Sequence, residues 1–108
     1  MIGKHFHADI SKRVHALNKD FFQKDIKSVN LKYNSSNWGS CSTKGNINLS
    51  TRLLFAPDEV IDYVIIHELT HLIEMNHSSK FWKIVKSIMP DYKQKEKWLK
   101  VNGGDCDF

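Results

Sequence analysis

The sequence predicts an α+β fold: an N-terminal helix, about three strands in a mixed or antiparallel sheet, a long helix and two C-terminal helices. Three observations carry this. Apolar residues recur every three or four positions from His5 to Phe22, they alternate between Ile26 and Tyr33 and flank a glycine turn before Ser50, and the helical period returns after Pro57. At 108 residues the chain reads as one domain, large enough to bury roughly 65% of its unfolded surface and fold without staples. No repeat, low-complexity stretch or linker divides it.

In the first helix Phe6, Ile10, Val14, Leu17 and Phe21 form a core-facing stripe, while His5, His7 and His15 are expected at its surface. Between Ile26 and Tyr33, Val29, Leu31 and Tyr33 share one face and Lys32 takes the other, as in a half-buried strand. Asn34-Ser35-Ser36-Asn37 reads as a turn. Trp38 to Ser42 and Asn46 to Ser50 then flank Thr43-Lys44-Gly45, where Gly45 supplies the positive φ of a tight hairpin.

Pro57 suits the first helical turn, where its missing N–H costs nothing, and Asp58 and Glu59 sit well at the positive end of the helix dipole. This helix is expected to begin within a residue of Ala56. Ser78 reads as the N-cap of the next, which carries Phe81, Trp82, Val85 and Ile88 and stops at Pro90. A last helix from residue 91 to about 101 turns Trp98 and Leu99 inward and closes at Gly103-Gly104.

Composition narrows the function classes. Cys41 and Cys106 are too few for a disulfide framework, and Met1-Ile2-Gly3-Lys4-His5-Phe6-His7 lacks the apolar core of a signal peptide. The longest apolar run of the buried helix, Val64-Ile65-Ile66, is far too short for a bilayer. A reducing, cytoplasmic location without membrane contact is the expectation. The net charge of +4 comes largely from the ends, with Lys80, Lys83, Lys86, Lys93, Lys95, Lys97 and Lys100 in the last third. Weak DNA binding through these lysines is weighed below a plain solvated face, because Asp91, Glu96, Asp105 and Asp107 dilute them. Oligomeric state leaves no mark on the sequence.

The chemistry concentrates in His67-Glu68-Leu69-Thr70-His71, which reads H-E-x-x-H inside an apolar segment. Helix positions i and i+4 lie about 40° apart on one face, so His67 and His71 can aim two imidazole nitrogens at one point. That is zinc-ligand spacing. Glu68 lies about 100° from His67 and about 60° from His71, close enough to reach a water at the metal without being a ligand. Ile61, Ile65, Ile66, Leu69, Leu72 and Ile73 form a broad apolar face opposite, so the helix is mostly buried and its three titratable groups need a reason to be there. Metal-assisted hydrolysis supplies one.

The third ligand depends on where this helix ends. Continued unbroken, it would carry His77 about 9 Å beyond His71 and about 240° around, facing away. A reversal at Asn76, a residue that tolerates the left-handed conformation, brings His77 back. Glu74 and Glu96 compete: Glu74 is near His67 by angle but about 10.5 Å further along, and Glu96 would come from the last helix. Cys41 is a weak candidate nucleophile against its reading as a buried apolar residue. Tyr92, and after it Tyr63, could donate to an oxyanion, although packing accounts for both.

Trp38-Gly39-Ser40-Cys41-Ser42, Gly45-Asn46-Ile47-Asn48-Leu49, Ala56-Pro57, His67-Glu68-Leu69-Thr70-His71-Leu72, Asn76-His77-Ser78, Phe81-Trp82 and Pro90-Asp91-Tyr92 occur in an ordered set. The set resembles the YgjP-like, SprT-related zinc metallopeptidases from about residue 26 to residue 103, and more broadly the zincins. The resemblance implies a minimal zincin-like catalytic domain, one zinc ion held by His67, His71 and His77, Glu68 as catalytic base and a polypeptide substrate. Trp38, Asn48 and Tyr92 are candidate substrate or oxyanion contacts, and by resemblance to zincins Ile47-Asn48-Leu49 is an edge strand to which an extended peptide adds. Family members usually have a longer N-terminal region and often a basic residue where this chain has Asn37. The spacing of the third histidine equals that of metzincins, but Glu74 stands in place of their turn glycine. The reading reached is a zinc-dependent peptidase-like hydrolase. A non-hydrolytic, zinc-stabilised protein- or DNA-binding module is its rival, and Glu68 discriminates them, since a structural site has no use for a base.

Overall fold

The computed structural model describes residues 2–32, 38–42 and 44–103, with the side chains of 2–8, 54 and 103 left aside. Asn34-Ser35-Ser36-Asn37, Tyr33, Thr43, Gly104 and Cys106, and the side chains of His5, Phe6 and His7, therefore lie outside the described residues. The elements run α1 (Ile2–Leu17), a π turn (Asn18–Phe22), β1 (Ser28–Lys32), β2 (Gly39–Cys41), β3 (Asn46–Ser50), a 3-10 turn (Thr51–Phe55), α2 (Asp58–Thr70), α3 (Ser79–Ile88) and α4 (Tyr92–Gly103). This is the expected α+β order.

Ile10 and Val14 of α1 are buried as their spacing requires, and His15 is exposed. The stripe changes register at its end. Phe21, expected inward, is 52% exposed, and Phe22 is buried in its place. The cause is the π turn, closed from the Gln23 N–H to the Asn18 carbonyl, which adds one residue to the turn and rotates the following side chain inward. Gln23 then takes a left-handed φ of 54°. Asn18 clasps the exit, donating from Nδ2 to the Lys24 carbonyl and accepting the Lys24 N–H.

The sheet has the order β1-β3-β2. β1 runs parallel to β3, with Val29 beside Ile47 and Leu31 beside Leu49, and β2 runs antiparallel to it, with Gly39 beside Leu49 and Cys41 beside Ile47. The sheet is therefore mixed, and Ile47-Asn48-Leu49 is its central strand rather than an edge. Sequence alternation showed that Asn46–Ser50 was a strand with buried members, but could not show that β1 would occupy its free side. Gly45 has φ 92°, and a Cβ there would stand 2.6 Å from the Asp25 carbonyl. It serves both the hairpin turn and the close passage of the chain entering β1.

α2 lies at the centre, packed against α1, α3, α4 and the sheet. Val60, Ile61, Val64, Ile65, Ile66 and Leu69 are all buried, each burial contributing roughly 1.5–3 kcal/mol before entropy is counted. The helix starts at Asp58 with Pro57 as its N-cap, one residue later than expected. It also stops early. The Leu72 and Ile73 N–H groups donate 3-10-type bonds to the Leu69 and Thr70 carbonyls, so the chain leaves the helix at His71, and Ile73 is 39% exposed instead of core-facing. Asn76 makes no left-handed turn: among the described non-glycine residues only Gln23 has positive φ. The chain comes back through turn residues 71–73 and bends at Met75 and Asn76, without a left-handed residue. Ser78 caps α3 as expected, its Oγ accepting the Phe81 N–H. Among the described residues no helix is long and apolar enough to cross a membrane.

Candidate metal centre

The last turn of α2 carries His67 and Glu68, both 2% exposed, and His71 follows as its C-cap. His77 arrives from the segment between α2 and α3. One ligand nitrogen from each of the three rings lies within 4.8 Å of the others, and His67 Nε2 stands 3.1 Å from His77 Nε2. The ring centroids are 5.1 Å apart for His67 and His71, 5.0 Å for His67 and His77, and 4.7 Å for His71 and His77. The early end of α2 is what brings His77 back.

Electrostatics favour the neutral form of His67 and His71. Burial, followed by the neighbouring His71 and His77, pushes the His67 imidazole far below its ordinary range. Burial and His77 also lower His71, against backbone hydrogen bonds to Glu74 and Met75 that raise it. The Glu74 carbonyl lies 3.3 Å from His71 Nδ1 and can only accept, so His71 carries its proton on Nδ1 and its lone pair on Nε2. Three imidazoles with nitrogens facing one point form a donor set suited to zinc or a similar borderline cation. The residues present fit a metal.

The rival ligands are elsewhere. Glu74 contributes its backbone carbonyl, and Glu96 pairs with Lys100 at 3.6 Å and lies near Tyr63, whose hydroxyl is pushed up by burial first and by the Glu96 charge next. Neither carboxylate joins the histidine group among the described residues. Cys41 is half-buried; burial, with Glu68 second, pushes its thiol up to about 12, so no thiolate is available for nucleophilic attack at neutral pH. Trp38 is 2% exposed, lies 6.2 Å from Trp98 and carries Arg52 4.8 Å above its ring. Asn48, on the central strand, donates to Ser40 Oγ. Tyr92 stacks between Tyr63 and Trp82.

Glu68 itself is held in the interior, where burial raises its carboxyl to about 8. Gly39 makes room for it. A Cβ at Gly39 would stand 3.2 Å from Glu68 Oε2, 2.9 Å from the Asn48 carbonyl and 3.3 Å from Leu49 Cδ2. The carboxylate thus occupies space that any other residue would take. Sequence reasoning gave Gly39 no role, because one glycine beside a tryptophan carries no spacing signal; only the packing of α2 on β2 exposes it. Gly39→Ala is expected to displace Glu68 and lower hydrolytic rate by about 10-fold or more while sparing metal content, since a roughly 1 Å misplacement can cost about 100-fold. Equal rates for the variant and the parent at matched metal would show that Glu68 has room to spare. The buried ring of Phe81 lies 4.9, 4.7 and 4.9 Å from those of His67, His71 and His77.

Comparison with known proteins agrees with this geometry. The chain resembles the crystal structure of the metallopeptidase zymogen of Pyrococcus abyssi abylysin, with a TM-score of 0.75 and 26% identity over 85% of this chain and 92% of that one. The metallopeptidase zymogen of Methanocaldococcus jannaschii jannalysin shares the fold, with a TM-score of 0.70 and 23% identity over 85% of this chain and 92% of that one. A curated protein of Escherichia coli (strain K12), named UTP pyrophosphatase, is 31% identical over 58 residues, which is 54% of this chain and 35% of that protein. The matched stretch thus spans about a third of that relative. The family model described as YgjP-like, metallopeptidase domain, matches residues 1–102. The chain therefore belongs to the YgjP-like family of metallopeptidase domains.

Proposed function

We propose that the chain is a zinc-dependent peptide hydrolase in which His67, His71 and His77 hold one zinc ion and Glu68 is the general base. The observation that carries this is the convergence of three imidazoles within 4.8 Å beside a carboxyl that is 2% exposed. Structural zinc sites usually close on four protein ligands, whereas three ligands leave a position for chemistry. Zinc, when bound, supplies a Lewis acid that polarises the scissile carbonyl and lowers the pKa of a water from 15.7 to about 7. A cation held by the three histidines would offset the burial that keeps the Glu68 carboxyl protonated. The ionised carboxylate takes a proton from the attacking water as the water oxygen bonds to the carbonyl carbon. The same carboxyl then passes that proton to the departing nitrogen as the C–N bond breaks.

β2 replaces β3 as the strand on which an extended peptide would lie. Among the described residues it pairs on one side only, and Gly39 places it directly against Glu68. The free, half-buried Cys41 accords with a reducing, cytoplasmic setting. DNA contact through the lysines of residues 80–100 would add to this reading without changing the site; Lys95 and Lys100 are already paired with Asp91 and Glu96.

A second reading has one specific support, the likeness to a protein named UTP pyrophosphatase. Phosphoanhydride hydrolysis needs the same polarised oxygen and activated water. The test runs both substrates on one preparation: a peptide library and casein in one arm, UTP with pyrophosphate detection in the other, each with and without a chelator. Peptide cleavage that stops with the chelator and returns with zinc is the expected result. Pyrophosphate release without peptide cleavage would move the assignment to the nucleotide, and neither activity from zinc-loaded protein would favour the binding module.

A further inference from the structure

The three histidines are fixed in different ways. His67 is fixed by the core of α2, and His71 by the Glu74 carbonyl. His77 has neither support. It is exposed, belongs to no helix or strand, and among the described residues its ring comes within hydrogen-bond distance only of His67 Nε2, the nitrogen that must share the metal with it. Something else must set its plane.

We infer that Trp82 is the positioning residue of His77: its indole, backed by Tyr92, holds the third imidazole in the orientation that the metal site needs. This rests on the reading of the three histidines as ligands. His77 and Trp82 stack at 6.0 Å with their planes 26° apart. Trp82 stacks in turn on Tyr92 at 5.3 Å and 21°, and Tyr92 on Tyr63 at 6.4 Å and 19°. Offset stacks at these distances are favoured ring arrangements. Tyr63 is 1% exposed in α2, one turn before His67, and meets the His67 ring edge-on at 6.0 Å. A ladder of four nearly parallel rings therefore runs from the core of α2 through α4 and α3 to His77.

His67 closes the ladder into a circuit, since its ring lies 5.0 Å from His77 and 5.9 Å from Trp82. Turning His77 out of its plane would break the stack on Trp82, the only near-parallel ring against it among the described residues. Phe81 supports the same ring edge-on at 81°, but it also touches His67 and His71 and is wholly buried, so it cannot be the residue specific to His77. Restraining a ligand before the metal arrives removes an ordering cost from binding, which is how groups outside the ligand set raise affinity.

The test measures zinc affinity by competition with a chromogenic chelator, using the whole chain, together with the visible absorption of the cobalt(II)-substituted protein. Trp82→Ala is expected to weaken zinc by about 10–100-fold, the usual cost of losing a group that orients a ligand, and to alter the cobalt spectrum. Trp82→Phe, which keeps a stacking ring, should recover most of the affinity. Tyr92→Leu should give a smaller loss in the same direction. Trp98→Ala removes a comparable, partly buried indole that packs on Trp38, away from the histidines, and should leave affinity unchanged. Parental affinity in Trp82→Ala, or an equal loss in Trp98→Ala, would overturn the assignment. Should Trp82→Ala fail to fold, Tyr92→Leu decides, and no loss there overturns it too. If the parent chain binds no zinc, the ligand reading fails first and takes this inference with it.

Discussion

His77→Ala is expected to lose zinc by more than the roughly 10–100-fold that removal of an orienting group costs, because it deletes a direct bond from a three-ligand set. Glu74→Ala and Glu96→Ala are expected to keep the parental metal content. The reasons differ. Glu74 acts through its backbone carbonyl, which accepts from His71 Nδ1 at 3.3 Å and which alanine retains. Glu96 spends its carboxylate on Lys100, beside Tyr63 and apart from the histidine group. Metal analysis of the three purified variants separates the alternatives. Zinc retained in His77→Ala but lost from Glu96→Ala would move the third ligand to α4.

The site was more legible in the sequence than the path of the chain around it. His67, Glu68 and His71 are tied to one another by helical spacing, and local spacing survives folding. The return of His77 was also legible, as a requirement: the helix had to end before it. How it ended was not. Asn76 offered a left-handed residue as a familiar local device, yet the chain tightens over residues 71–73 and bends at 75 and 76 without one. Phe21 and Phe22 failed in the same way, since a π turn shifts the face by one residue without any change in the apolar pattern. β3 shows a different limit. Strand identity is local, but its central position depends on pairing with β1, which sequence alternation does not encode. Gly39 and Trp82 belong to that second kind, because their roles exist only when α2 and α3 are in place.

The burial of Glu68 explains why the remaining prediction should be the sharpest. Glu68→Gln nearly preserves shape and leaves all three imidazoles, so fold and zinc content should be retained. Glutamine cannot take the proton of the attacking water, and loss of a positioned general base typically costs about 10²–10⁴-fold in rate. The metal-free chain gives an independent readout. Burial raises the Glu68 carboxyl from 4.5 to about 8 in the folded protein, so the folded state holds this proton more tightly than the unfolded one. The stabilising contribution is complete below pH 4.5 and is lost as the pH rises through about 8. Glu68→Gln has no such proton to lose. In the presence of a chelator, its thermal midpoint should therefore gain on that of the parent as the pH is raised from 5 to 8, and the difference should level off above that. A difference that stays flat with pH would mean that Glu68 is not held protonated in the interior. Cleavage by the glutamine variant at the parental rate, at matched zinc, would remove Glu68 from the reaction altogether.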